Sequence, residues 1–141
     1  MIEFHMPEQE FRRRAARVRA IAFDLDDTLL DSRKVIPVRA LRAIHALQER
    51  GVFITLCTAR NCSATQYYAD QIGISGRYSA VSGCQLVDGQ SGAILRSTPM
   101  YEYDAVAIAR FCLEQDIPFS LSVGHEGYVG GPVEPDCPST S

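Results

Sequence analysis

No apolar run in this chain approaches the roughly 18 residues that a membrane-crossing helix needs, which sets aside a helical membrane span. Cysteine is sparse and unpaired in pattern. Cys57, Cys62, Cys84, Cys112 and Cys137 are odd in number, show no Cys-x-x-Cys spacing and follow no secretory signal, so reduced thiols in a cytoplasmic setting are expected. Excess positive charge is missing too: a net charge of −3 over 141 residues weighs against a nucleic-acid partner. Lysine is nearly absent, Lys34 being the single one. The one basic cluster, Arg12, Arg13, Arg14, Arg17 and Arg19, is mixed with Glu3, Glu8 and Glu10, and transit peptides avoid acids. Residues 1–19 therefore read as a helical extension with a solvated basic face. No internal repeat or low-complexity tract precedes residues 131–141, whose Pro, Gly and Ser predict a disordered tail.

What is present is an α/β alternation of a size for one domain, or one and part of another. The apolar stretch from Ile21 to Leu25 predicts a buried strand, and it runs into Asp24, Asp26, Asp27 and Thr28. Period-2 geometry places Asp24 and Asp26 on one side of an extended backbone. Like charges that close repel by several kcal/mol at intermediate dielectric, so the pair asks for a cation such as Mg²⁺ or for a shared proton. A solvated acidic turn is the bland alternative.

Pro37 to Arg50 carries Val38, Leu41, Ile44 and Leu47 at helical spacing and is closed by Gly51, with His45 on its flank. Residues 52–57 predict a second buried parallel strand that delivers Thr58, Ala59, Arg60 and Asn61 to its carboxyl end. A hydroxyl there is well placed to hydrogen-bond a phosphoryl oxygen. Asn61 predicts the cap of a helix from Cys62 to Ile72, ended by Gly73, and residues 78–82 predict a third strand. Further on, residues 85–88 and 93–97 flank a Gly-Gln-Ser-Gly turn and predict a hairpin. A helix is expected near 102–115, with Val106, Ile108, Ala109, Cys112 and Leu113 on its apolar side, then strands near 118–123 and 127–129.

Asp24-Leu25-Asp26-Asp27-Thr28 resembles the Asp-x-Asp-x-Thr signature of the haloacid dehalogenase superfamily, and Thr58-Ala59-Arg60 resembles the Thr-Gly-Arg of its Cof-type phosphatases. Those proteins typically carry Gly where Asp27 and Ala59 stand; neither departure removes a reacting group. The resemblance implies a doubly wound parallel sheet with a Rossmann-like core, of which three strands are present (residues 20–84), and the first part of an α+β cap (85–130). It implies a Mg²⁺-dependent phosphatase of small phosphorylated metabolites. Asp24 would be the nucleophile that becomes phosphorylated and Asp26 the acid/base, a role that needs a carboxyl able to hold its proton near neutral pH. Mg²⁺ would sit on the Asp24 carboxylate and the Asp26 carbonyl. Thr28, Thr58 and Arg60 would serve the phosphate site, Thr28 also by orienting Asp26 or its loop.

Family members also use a downstream Lys and a further acidic motif, and neither occurs after residue 88. The chain is therefore expected to be a truncated product, a fragment or a protein completed by a partner, the first being preferred. Self-association through open strand edges is expected. The alternative function is that of a catalytically inactive remnant acting as a binding or assembly module.

Overall fold

The structure, a computed structural model, describes residues 6–132; the expectations for residues 1–5 and 133–141 fall outside the described residues. Helix α1, Glu8–Ala15, is held by its own ion pairs: Arg12 donates to Glu8, and Arg13 and Arg14 donate to Glu10. It buries no residue, so its arginines form a solvated face, as their mixture with glutamates predicts.

Strands β1 (Ala20–Phe23) and β2 (Phe53–Leu56) form a parallel ladder from Ala20↔Phe53 to Phe23↔Leu56. Helix α2 (Val38–Glu49) makes the crossover between them, as parallel pairing requires. Helix α3 (Cys62–Ile72) then leads to β3 (Arg77–Ala80), which lies parallel beside β2 through the Cys57↔Ser79 bridge. The ends of α3 match the sequence signals: the Asn61 side chain accepts from the Ala64 N–H at 2.8 Å, and Gly73 closes the helix in the left-handed region at φ 74°.

The hairpin of β4 (Gln85–Asp88) and β5 (Ile94–Ser97) adds antiparallel strands to β3. The segment grouped with the cap from its sequence is thus hydrogen-bonded to a core strand. Its turn is set by Asp88, whose Oδ1 accepts from the N–H groups of Gln90 and Ser91. Helix α4 (Glu102–Glu114) and the antiparallel pair β6 (Phe119–Val123) and β7 (Glu126–Gly130) complete the described chain.

The core lies between α2, α3 and the sheet, with Leu25, Ile44, Leu56, Ala69, Ile72, Tyr78 and Val87 almost wholly buried. Two expectations are corrected here. The apolar run 52–57 predicts a strand covered on both faces, yet only Ile54 and Leu56 of β2 are buried and Phe53 is 47% exposed, because one face is left open among the described residues. Val38 is also exposed, standing in the first turn of α2. Among the described residues, β1 pairs only with β2, and no helix is long and apolar enough to cross a membrane.

Candidate active site

The first carboxylate stands where β1 stops. The strand ends at Phe23 rather than Leu25, and Asp24 leaves it still extended, at φ −81° and ψ 158°. The chain then turns, because Leu25 is drawn fully into the core and its carbonyl accepts from the Leu30 N–H at 2.9 Å. Asp27 takes the left-handed conformation, φ 56°. A short polar side chain tolerates that region, so Asp serves where Gly is usual in the family the sequence resembles. Period-2 alternation therefore ends at Asp24, and the position of Asp26 is set by this loop.

The second strand end lies alongside. Cys57 N–H donates to the Phe23 carbonyl at 2.8 Å, so Asp24 and Thr58 emerge from neighbouring strands. Thr58 is buried, its N–H bonded to the Ser79 carbonyl at 3.1 Å. Its Oγ1 accepts from the Arg60 N–H at 3.2 Å, which leaves the hydroxyl hydrogen for an incoming acceptor. A strained turn supports this loop. Val81 and Ser82 sit at φ 50° and 51°, costly for a β-branched residue, and donate to the carbonyls of Arg60 and Thr58 at 2.8 and 3.0 Å.

The central contact joins the two loops. Arg60 grips Asp26 as a fork, Nε to Oδ2 at 2.7 Å and Nη2 to Oδ1 at 2.9 Å, and Lys34 Nζ donates to Oδ1 at 2.7 Å. The hydrogen bonds from Arg60, and then those from Lys34, hold the Asp26 carboxyl far below the usual carboxylate range. Both cations favour the ionised form of Asp26 in this arrangement. Asp24 is exposed at the strand end, and Thr28 is exposed with no side-chain hydrogen bond among the described residues.

Lys34 is the site residue that sequence reasoning missed. The turn begun by Asp31 folds this single lysine back onto Asp26. Asp31 at that turn was the available signal. Beyond Arg60 lies a cleft of about 580 Å³ lined by Arg60, Asn61, Ser63, Tyr67, Tyr68 and His125 among others. Its far wall is the β6–β7 turn: Ser63 Oγ donates to the His125 carbonyl at 2.6 Å, and Gln85 Nε2 donates to the Gly124 carbonyl at 3.1 Å.

Among the described residues no group of three His, Cys, Asp or Glu side chains is assembled to hold a metal. The donor chemistry nonetheless suits Mg²⁺, which takes one or two carboxylates and keeps several waters. Among the described residues Asp24 supplies a carboxylate without a cationic partner, whereas the Asp26 carboxylate is already occupied, which leaves Asp26 its main-chain carbonyl.

This constellation, a strand-end aspartate beside a strand-end threonine with a second aspartate clamped by cations, defines a phosphoryl-type hydrolase class on an α/β sheet. Comparison with known proteins agrees. The model of the haloacid dehalogenase-like hydrolases matches residues 21–136, and the chain belongs to that family. YxeH of Bacillus subtilis (strain 168), provisionally named a phosphatase, is 31% identical over 78 residues, covering 55% of this chain and 27% of that protein. A haloacid dehalogenase-like hydrolase structure from B. subtilis superposes with a TM-score of 0.71 at 20% identity, over 83% of this chain and 40% of its own. The subclass IIB sugar phosphatase BT4131 gives 0.66 at 21% identity, over 79% and 44%. The chain spans less than half the length of these relatives.

Proposed function

We propose that the site hydrolyses monoesters of small phosphorylated metabolites through a phosphoryl group carried on Asp24. The observation that carries this is the position of Asp24: a carboxylate at the end of β1, without a cationic partner among the described residues, beside the Thr58 hydroxyl at the end of β2. A carboxylate oxygen of Asp24 bonds to phosphorus as the ester oxygen departs with its electron pair and takes a proton; water then cleaves the acyl phosphate, releasing phosphate and restoring Asp24. Asp26 is the group that gives and takes these protons, which requires that Lys34 and Arg60 loosen their hold as the substrate arrives. Thr58 and Arg60 bind phosphoryl oxygens, and Thr28 orients the loop. The Asp24 carboxylate and the Asp26 carbonyl would hold Mg²⁺, which would supply positive charge at the transferring group.

The thiols of Cys57, Cys62, Cys84 and Cys112 are free, in keeping with a cytoplasmic setting. Because family members use groups further along their chains, these 141 residues alone are proposed to turn over weakly. The second reading, a binding module without turnover, is favoured by the clamped Asp26. A second copy pairing on the open edge of β1 is the proposed partner, and light scattering over a range of concentrations tests it.

The test of function is thermal melting with Mg²⁺ plus fluoroberyllate, a mimic of the phosphorylated aspartate. Stabilisation that Asp24→Asn removes is expected. Identical curves with and without the ligands contradict the proposal.

A further inference from the structure

The sole lysine of the chain is held by more than its ion pair. Asp31 Oδ1 accepts from the N–H groups of Arg33 and Val35 at 2.9 and 3.1 Å, and the turn puts Lys34 in the left-handed region at φ 59°, which a side chain rarely adopts. Tyr68 of α3, only 6% exposed, donates its hydroxyl to the Lys34 carbonyl at 2.9 Å. The same ring lies under the Arg60 guanidinium, 5.3 Å from its centre. One buried side chain thus touches both residues whose cations grip Asp26.

A surface ion pair needs neither a strained backbone nor a buried tyrosine to hold it. An ammonium also has three donors. Asp26 takes one at 2.7 Å, Asp27 adds only its nearby negative charge, and the Lys34 side chain is 53% exposed, so the remaining donors are open to a ligand.

Building on the hydrolase reading above, we propose that Lys34 binds the phosphoryl group in this chain, with Tyr68 as the positioning residue that sets Lys34 and Arg60 on either side of Asp26. On binding, the ammonium donates to a non-bridging phosphoryl oxygen. Tyr68 touches no substrate; it fixes the backbone of one cation and the plane of the other.

The single lysine makes the test specific, because a chain labelled with ¹³Cε/¹⁵Nζ-lysine gives one side-chain signal. Titration with inorganic phosphate should move that signal saturably, and calorimetry should follow the same binding curve. Lys34→Gln is expected to weaken phosphate binding about tenfold, the scale of a lost charged hydrogen bond, and Lys34→Arg to restore most of it. Tyr68→Phe, which keeps the ring over Arg60, should weaken binding several-fold and reduce the response of the lysine signal. A lysine signal unmoved at saturating phosphate, or Lys34→Gln binding as tightly as the unaltered chain, overturns the assignment. Fluoroberyllate stabilisation that persists alongside that failure leaves the hydrolase reading standing; a responsive Lys34 without that stabilisation does the reverse.

Discussion

Residues 20–97 and residues 98–132 are built on opposite terms. Among the described residues every buried one lies in the first region, between Leu25 and Gly89; the second has none, and Val106, Ile108, Phe111 and Leu113 of α4 are each half-exposed or more. The first region folds around a shared core, and the site sits at the ends of its parallel strands. The second is held by the β6–β7 ladder and meets the first at the Gly124-His125 turn. The comparison teaches that Asp24, Asp26, Lys34, Thr58 and Arg60 all stand in the first region, while the second supplies one wall of the cleft beside Arg60.

The largest expected effect comes from breaking the core. Leu56→Ala empties a fully buried position of β2 and should cost about 2–5 kcal/mol in urea unfolding. Phe111→Ala, at a position 57% exposed, should stay within about 0.5 kcal/mol. Equal costs would erase the distinction between the regions.

A matched pair of glycines sharpens it. A Cβ at Gly89 would lie 2.7 Å from the carbonyl oxygens of Gly76 and Ile74, so Gly89→Ala should cost about 1–3 kcal/mol through overpacking. Gly124→Ala meets nothing within 4 Å and pays only for its φ of +60°, about 1 kcal/mol. The same unfolding series ranks them, and a reversed order would contradict the packing described.

A smaller effect distinguishes the core by pH. Burial pushes the Tyr78 hydroxyl up to about 12. Its ordinary value is about 10, so between the two the folded chain holds a proton that the unfolded chain has lost. Stability should therefore fall as pH rises through that window. Tyr78→Phe should flatten this part of the profile, and an unchanged alkaline slope would place the titration elsewhere.

Much of this was legible in the sequence because it depends on near neighbours. Asn61 and Gly73 bound α3 by local backbone rules, and the Asp-x-Asp-x-Thr spacing pointed to the strand end that Asp24 occupies. What was not legible depends on distant partners. Lys34 reaches Asp26 because a turn eight residues on is tied to Tyr68; Asp31 marks the turn, but nothing local marks the Tyr68 hydroxyl that holds it. The strand end at Phe23 follows from the burial of Leu25, and the open face of β2 from what fails to cover it. The lowering of the Asp26 carboxyl was not legible for the same reason: the groups that cause it, Arg60 and Lys34, come from other loops.

The most direct test of the central claim, a phosphoryl site made by the first region alone, is amide hydrogen exchange with and without Mg²⁺ plus fluoroberyllate. Protection should rise in residues 24–36, 57–61 and 81–84, with α4 unchanged. Protection confined to residues 102–130, or absent throughout, would contradict the account.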